Sequence, residues 1–559
     1  MSDPTSFAPP PAGLLAQLAT PRVRIMLAIG SGLLLGLCMP GHQMPFAWTV
    51  VFVPLFLALD AQRRSASGGL HRRVLGVAGL CWWVGAMLAA VSGGWVVNTA
   101  HVYGGLPLLL AHVVNVLGYG TLQGLDTFLF LGLPFLLAAR HPRRLPLLVL
   151  AWSAALPPLL PRFLYWTYGQ LMFAQAPLVQ AADLVGSSGL NPLVVGLNLL
   201  LAGALRARLA PWSGARRSLA LAAALLALGF AAAGGYGLWR MQAIAERQAV
   251  GTPLQLVGVQ PNFSLKALAS NPALSPSDRE QSVAALLADS ELALERLPAD
   301  AAGPIVVVWP ESAYPGAYAY NPELRGVVER WVRDRRVHLV LATLDVDDPA
   351  TPGEPRRVYG ATVHVAPDGR VADVYRKIVL IPFGETIPLG DWFPWYRSLL
   401  RTAIPQISEF TPGDAYTVFD VAPGVRVAPM ICFDAARQEV AAGMTRAGAN
   451  LGFVLANLAW FGPTTVSSQF EQYIRFRAIE NRIPMLMLSQ NGTSLLFDAR
   501  GEPASRRLGQ FTQEQLALEV RLPAVASFYA RHAPWVHGAF ALLLGAVLGW
   551  LALSRRSKA

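Results

Sequence analysis

Eight apolar stretches dominate this chain, near residues 25–39, 45–60, 74–97, 105–139, 145–160, 188–205, 218–239 and 536–553. Runs of this kind, with their flanks, are long enough to cross about 30 Å of hydrocarbon. Inside lipid every backbone polar group needs an internal partner, so the stretches demand a helical bundle. The run at 105–139 is too long for one upright span, and leaves either one tilted helix with an interfacial extension or two spans. Composition points the same way: 53% of the 559 residues are hydrophobic and only 14% are charged.

The formal charge of +11 would suit a nucleic-acid binder, but its placement excludes one. Residues 251–525 hold 25 of the 45 basic and 29 of the 34 acidic residues, a net of −4, leaving +15 on the apolar parts. Basic clusters follow or precede alternate stretches: Arg22 and Arg24; Arg63, Arg64, Arg72 and Arg73; Arg140, Arg143 and Arg144; Arg206, Arg208, Arg216 and Arg217; Arg555, Arg556 and Lys558. The intervening loops PGHQMP (40–45) and NTAHVYGG (98–105) carry none, and the loop after the fifth stretch carries only Arg162. The positive-inside rule then sets both termini in the cytoplasm and residues 240–535 outside. The first stretch lacks the small-residue cleavage site of a signal peptide. The expected organisation is a cytoplasmic tail (1–24), seven spans (25–240), an external domain (241–530), and a last span with a basic cytoplasmic tail (531–559).

The external segment reads differently. Apolar runs recur at 255–261, 304–312, 337–344, 425–432, 451–460 and 483–491, with helical patterns at 278–297, 321–333, 435–447 and 468–482. Alternation of this kind predicts an α/β layered domain with largely buried strands. Ligand sites in such domains gather where strands end.

Three chemically useful residues stand at or just beyond such ends. Glu311 follows IVVVWP, where partial desolvation raises a carboxyl toward general-base strength. Lys377, in DVYRKIVLIPFGE, is one of three lysines among 45 basic residues. A compact ammonium fits an oxyanion where a guanidinium does not. Cys432 ends VRVAPMIC at a strand-to-helix turn, where a helix N-terminus favours thiolate. The other two cysteines, Cys38 and Cys81, lie in apolar stretches, so it has no disulfide partner. Taken singly, the three read equally well as a helix cap, a surface lysine and an inert buried thiol. No Cys/His cluster has metal-ligand spacing and no glycine-rich phosphate loop follows a strand, so neither metal nor cofactor is expected.

Together, WPES, YRK followed by PFGE, and ICFD resemble the Glu-Lys-Cys triad of the nitrilase (carbon–nitrogen hydrolase) superfamily. With the spans, WFG (460–462), RAIE (477–480) and QNG (490–492), nearly the whole chain resembles that superfamily's membrane-embedded apolipoprotein N-acyltransferases. The resemblance implies an α-helical transmembrane bundle of about eight spans carrying a nitrilase-like αββα sandwich, in a bacterial inner membrane with that sandwich periplasmic. It implies an acyl chain taken from a phospholipid onto Cys432 as a thioester and passed to the amine of a diacylglyceryl-cysteine lipoprotein. Glu311 is the implied base and Lys377 the oxyanion partner. Glu385, Phe433, Asp434 and Trp460 are the implied supporting residues, and the protein is expected to be a monomer.

The chain departs from the family pattern at Asp434 (usually Glu), at Leu458 (usually an acid) and at Lys266-Ala267 (usually Lys-Trp). These departures leave open a membrane-tethered amidase-type hydrolase, or a paralogue with another acceptor or only a binding role. Finally, residues 386–410 form a long connection rich in aromatic residues: Trp392, Phe393, Trp395 and Tyr396, then Leu399, Leu400 and Ile404, with Arg397 and Arg401 interleaved. That mixture suits a bilayer interface, and predicts a lipid-entry arm above Cys432. A buried aromatic cluster closing the domain is the alternative.

Overall fold

A computed structural model describes residues 17–18 and 20–556, except 43, 66–68, 140, 161, 163, 265–273, 301, 349–355 and 404–406. The Lys266-Ala267 pair and Ile404 lie outside the described residues.

Six helices among them are long and apolar enough to cross a membrane: Pro21–Cys38, Leu70–Ser92, Leu108–Leu137, Asn191–Leu209, Ala215–Ala249 and Phe528–Leu553. Two of the eight apolar stretches form shorter helices, Val53–Ser65 and Leu145–Ala155. The run at 105–139 is one continuous helical path, loosened by π-helical turns at Asn115–Tyr119 and Phe128–Gly132. Close approach builds the bundle: a Cβ on Gly85 would lie 2.2 Å from the backbone nitrogen of Gly124, the small-residue contact that replaces hydrophobic driving force inside lipid.

Ala215–Ala249 runs for 35 residues, about 52 Å at 1.5 Å per residue. It therefore outruns the hydrocarbon and delivers the chain directly into the first strand. Leu221, Leu225, Leu228, Leu238 and Trp239 stand exposed along it, as lipid-facing residues do.

Eleven described strands follow: β1 Thr252–Gln260, β2 Ile305–Trp309, β3 His338–Asp347, β4 Arg357–Val365, β5 Val371–Arg376, β6 Phe419–Ala422, β7 Val425–Ile431, β8 Leu451–Ala456, β9 Met485–Ser489, β10 Leu495–Phe497 and β11 Glu514–Leu522. They form two sheets, ordered β11-β1-β2-β3-β4-β5 and β10-β9-β8-β7-β6. The centre of each is parallel (β1–β2–β3 and β7–β8–β9), and antiparallel strands flank it. The sheets face each other. Helices Pro276–Leu294 and Pro322–Arg335 cover the first, while Gln438–Arg446 and Val466–Asn481 cover the second. The result is an αββα sandwich. Local chemistry starts its helices where the sequence changes period: Ser275 and Asp278 cap one reciprocally, and Asn321 caps the next.

The second sheet's helical layer turns toward the bundle. At the seam Asp183 accepts hydrogen bonds from Tyr236 (2.7 Å), Arg240 (2.8 Å) and Arg482 (2.8 Å). Beside it, Glu480 pairs with Arg477 at 2.8 Å, both fully buried, and accepts the backbone N–H of Ser187 at 2.8 Å.

Candidate active site

The parallel strands bring their C-terminal ends to one edge of the sandwich. Glu311 follows β2, Cys432 follows β7 and Asn457 follows β8, while Lys377 follows the antiparallel β5 at the same edge. Lys377 is fully buried, and its Nζ donates to Glu385 Oε1 at 2.7 Å and to Glu311 Oε1 at 3.4 Å. The remaining oxygens are also engaged: Glu311 Oε2 accepts the N–H of Asn457 at 2.8 Å, and Glu385 Oε2 accepts that of Ile381 at 2.9 Å. The Cys432 thiol lies within electrostatic reach of both Glu311 and Lys377.

Backbone strain marks the same places. Cys432 (φ 45°), Ser312 beside Glu311 (φ 62°) and Phe383 beside Glu385 (φ 64°) occupy the left-handed region. Non-glycine residues stay there only where the surroundings over-determine them.

Electrostatics departs from the sequence expectation in one respect. Cys432 opens the five-residue 3₁₀ turn Cys432–Ala436, and the α-helix begins only at Gln438. The dipole of a full helix is therefore not aimed at the thiol. Burial, and then the Glu311 carboxylate, push the Cys432 thiol well up, with Lys377 pulling the other way. Burial also raises Glu311, against the Lys377 charge. For Lys377 burial opposes the charge, but Glu385 and Glu311 outweigh it and hold the ammonium well above its usual range. The site thus sets a thiol of raised proton affinity near a carboxyl whose proton affinity is also raised, beside a buried cation. That arrangement passes a proton over a short path and receives negative charge at an adjacent carbonyl oxygen.

Asp434 braces the turn. Its fully buried carboxylate accepts from Tyr375 Oη (2.8 Å), Ile431 N (3.0 Å), Val379 N (2.8 Å) and Ile378 N (3.2 Å). Burial lifts it to about 6, while the Lys377 charge and these donors favour the anion. One short acid thus ties the segment after β5 to the segment after β7. Phe433 turns toward the bundle, its ring 6.0 Å from that of Tyr165. Trp460 lies in the 3₁₀ turn Ala459–Phe461 and meets Tyr103 edge-on at 5.2 Å.

That second contact contains residues the sequence did not single out. The π-helical turn Thr99–Tyr103, with Asn98 just before it, grips the loop after β8 through Asn98 and Thr99, which donate to the carbonyl of Trp460 at 3.3 and 3.0 Å. Tyr103 donates to that of Ala459 at 3.0 Å. The same loop offers Asn457 N–H to Glu311, so a helical turn of the bundle helps hold an acid of the site. Only the Asn-Leu-Ala-Trp-Phe segment signalled it, through its aromatic residues. Leu458, where an acid was expected, is buried in the main apolar core.

The arm residues do not join this cluster. Trp392 and Trp395 are 81% and 69% exposed, and Phe393 and Leu399 are exposed too, on and before the helix Pro394–Ala403. The alternative of a buried aromatic cluster is not what forms. Arg397 and Arg401 both bind Glu409 rather than standing free.

The chain matches known proteins. Residues 265–530 match the carbon-nitrogen hydrolase family. An apolipoprotein N-acyltransferase of Azotobacter vinelandii is 31% identical, over 95% of this chain and 95% of that protein. The chain belongs to the apolipoprotein N-acyltransferase family. A Geobacter metallireducens apolipoprotein N-acyltransferase is 28% identical over 96% of this chain and 97% of its own length. Among solved structures, a yeast (Saccharomyces cerevisiae) member of branch 10 of the nitrilase superfamily aligns with 52% of this chain and 93% of its own, at 19% identity and a TM-score of 0.36. As a family member the protein is an acyltransferase and a multi-pass membrane protein. The residues gathered at the strand ends are its candidate machinery.

Proposed function

We propose that this N-acyltransferase takes an acyl chain from a phospholipid, holds it as a thioester on Cys432, and transfers it to the N-terminal amine of a diacylglyceryl-cysteine lipoprotein. Glu311 removes the thiol proton as sulfur attacks the ester carbonyl. Lys377 holds the resulting oxyanion. The carbon–oxygen bond then breaks, and Glu311 returns its proton to the departing lysophospholipid alkoxide. In the second half the lipoprotein amine attacks the thioester, its proton passes to Glu311, and the thiolate leaves as the amide forms. A thioester stores acyl reactivity and divides one difficult transfer into two easier ones. Glu385 keeps Lys377 charged and placed, and Asp434 and Phe433 shape the turn that carries the nucleophile.

The observation that supports this reading is the meeting of Cys432, Glu311 and Lys377 in a buried site on the seam between sandwich and bundle. A substrate with long acyl chains reaches such a place sideways from lipid. The arm of Trp392, Phe393, Trp395 and Tyr396 is the proposed entrance. The proposed setting is the bacterial inner membrane, with the sandwich (241–530) periplasmic, the bundle at 25–240, the last span within 531–559, and a monomer as the working unit.

Mass spectrometry of the full-length protein tests the core of this. Incubation with phospholipid alone should add one acyl mass to Cys432, and a diacylglyceryl peptide should remove it as peptide N-acylation appears. Cys432→Ala should show no adduct, and Cys432→Ser nearly none, because a serine alkoxide is much harder to generate with the same base. An adduct discharged equally fast by water would favour a hydrolase.

A further inference from the structure

We propose that Arg437 reads the phosphodiester of the acyl donor, and is the residue by which the enzyme separates donor from acceptor. The inference rests on the phospholipid-to-thioester reading above. Both substrates of that reaction carry a glycerol esterified by two acyl chains. They differ at the third glycerol carbon, which bears an anionic phosphodiester in the donor and an uncharged thioether in the acceptor. Choosing the donor in the first half-reaction requires a cation near Cys432 that is free to bind an anion. Lys377 already serves the oxyanion and lies between two carboxylates, so a second cation is needed for the phosphodiester.

Arg437 has the required placement. It closes the 3₁₀ turn that Cys432 opens. Its guanidinium lies 5.4 Å over the ring of Tyr165, whose other neighbour is Phe433, the residue after the nucleophile. Stacking on an aromatic face orients a guanidinium plane without consuming its N–H donors. Those donors are barely used. Among the described residues the one carboxylate within ion-pair distance is Glu439, at 3.5 Å, and Nε is buried with no hydrogen-bond partner. The side chain is 41% exposed. Arg475 and Arg477 also leave Nε without a hydrogen-bond partner, but Arg475, Arg477 and Arg482 each have a carboxylate at 2.7–2.8 Å and are far more buried than Arg437.

Depth agrees as well. The next residue, Gln438, bonds to Ser187 of the bundle and to Tyr529, in the opening turn of the last membrane helix. Arg437 therefore sits where the bundle meets the sandwich, next to the start of the last membrane helix, and a planar fork suits a phosphodiester.

The test compares two donors for loading Cys432, both in detergent micelles with full-length protein: a diacyl phosphatidylethanolamine and p-nitrophenyl octanoate, which has no phosphate. In Arg437→Gln the ratio of phospholipid to aryl-ester loading rates should fall about 10- to 100-fold, the worth of charge-assisted hydrogen bonds. Arg437→Lys should recover part of that ratio, having charge but no fork. Inorganic phosphate should slow phospholipid loading of the parent protein by no more than general salt does, if the anion is read as part of the lipid. Selective inhibition by phosphate that disappears in Arg437→Gln would instead show a free-anion site and overturn the donor assignment. Equal loss with both donors would show that Arg437 only supports Tyr165 and Phe433. An unchanged ratio would also overturn the proposal. If the parent protein loads Cys432 from neither donor, the thioester reading itself fails and this inference with it.

Discussion

Lys377 shows how much a single side chain decides. It is fully buried between Glu385 and Glu311, at 2.7 and 3.4 Å, so neither charge nor volume can change freely there. Lys377→Arg keeps the charge, yet the planar fork is too broad for a point-charge site, and donors aimed at an oxyanion are worth about 10²–10³ in rate. The expected loss in the rate of Cys432 acylation is therefore on the order of 10²-fold or more, measured by single-turnover loading. Near-normal loading in Lys377→Arg would reduce Lys377 to a charge partner of the two acids. This residue was legible because the sequence writes arginine almost everywhere else. Tyr375 and Asn457 were not, because their contributions are a hydroxyl to Asp434 and a backbone N–H to Glu311. No residue-type pattern announces a backbone donor.

Among the elements, the segment around Pro394–Ala403 is distinctive for what it leaves uncovered. Trp392 and Trp395 expose most of their surface, which a protein facing only water rarely maintains in a cluster. Aromatic residues of this kind settle at the membrane interface. Replacing both with Ser should slow acylation of Cys432 from phospholipid vesicles several-fold, and should leave its reaction with a small water-soluble thiol reagent near the parent rate. Unquenched tryptophan fluorescence in brominated lipids, or vesicle loading at the parent rate, would rule the arm out as the entrance. The arginines interleaved in this element both bind Glu409. A partner eight to twelve residues away, across a turn, is invisible to a local reading. The same limit explains the strands that went unpredicted. β5, β6 and β11 are edge strands with half-exposed patterns, β10 has three residues, and β4 is interrupted by Gly360, Thr362 and His364.

For the whole molecule, function depends on the sandwich being fixed on the bundle. The buried seam does this with ionic groups: Asp183 serves Arg482, Arg240 and Tyr236 at once. Removing one partner of such a pair leaves an uncompensated buried charge, which costs about 3–5 kcal/mol. Asp183→Asn should therefore lower the melting temperature in detergent and weaken acyl transfer with it, although Asp183 lies outside the cluster around Cys432. An unchanged melting temperature would mean that Gln180 and the carbonyl of Ala499, which also bind Arg482, suffice alone.

What the sequence determined by itself was whatever is written locally. Hydrophobic runs located the helices of the bundle, and buried strands announced themselves as apolar segments ending at Glu311 and Cys432, because burial demands apolar residues at consecutive positions. The resemblance of WPES, YRK and ICFD then named the chemistry. Tertiary structure alone decided which of these ends meet. Two sheets had to pack face to face before the ends of β2, β5, β7 and β8 could surround one thiol. A helical turn at 98–103 had to reach a loop more than 350 residues away to steady the donor to Glu311. Tertiary structure also decided the charge state of the thiol: burial, a property of the packed whole, outweighs the short turn at its foot. Periodicity records what each residue needs from its own segment, whereas proximity between segments exists only once the chain has closed.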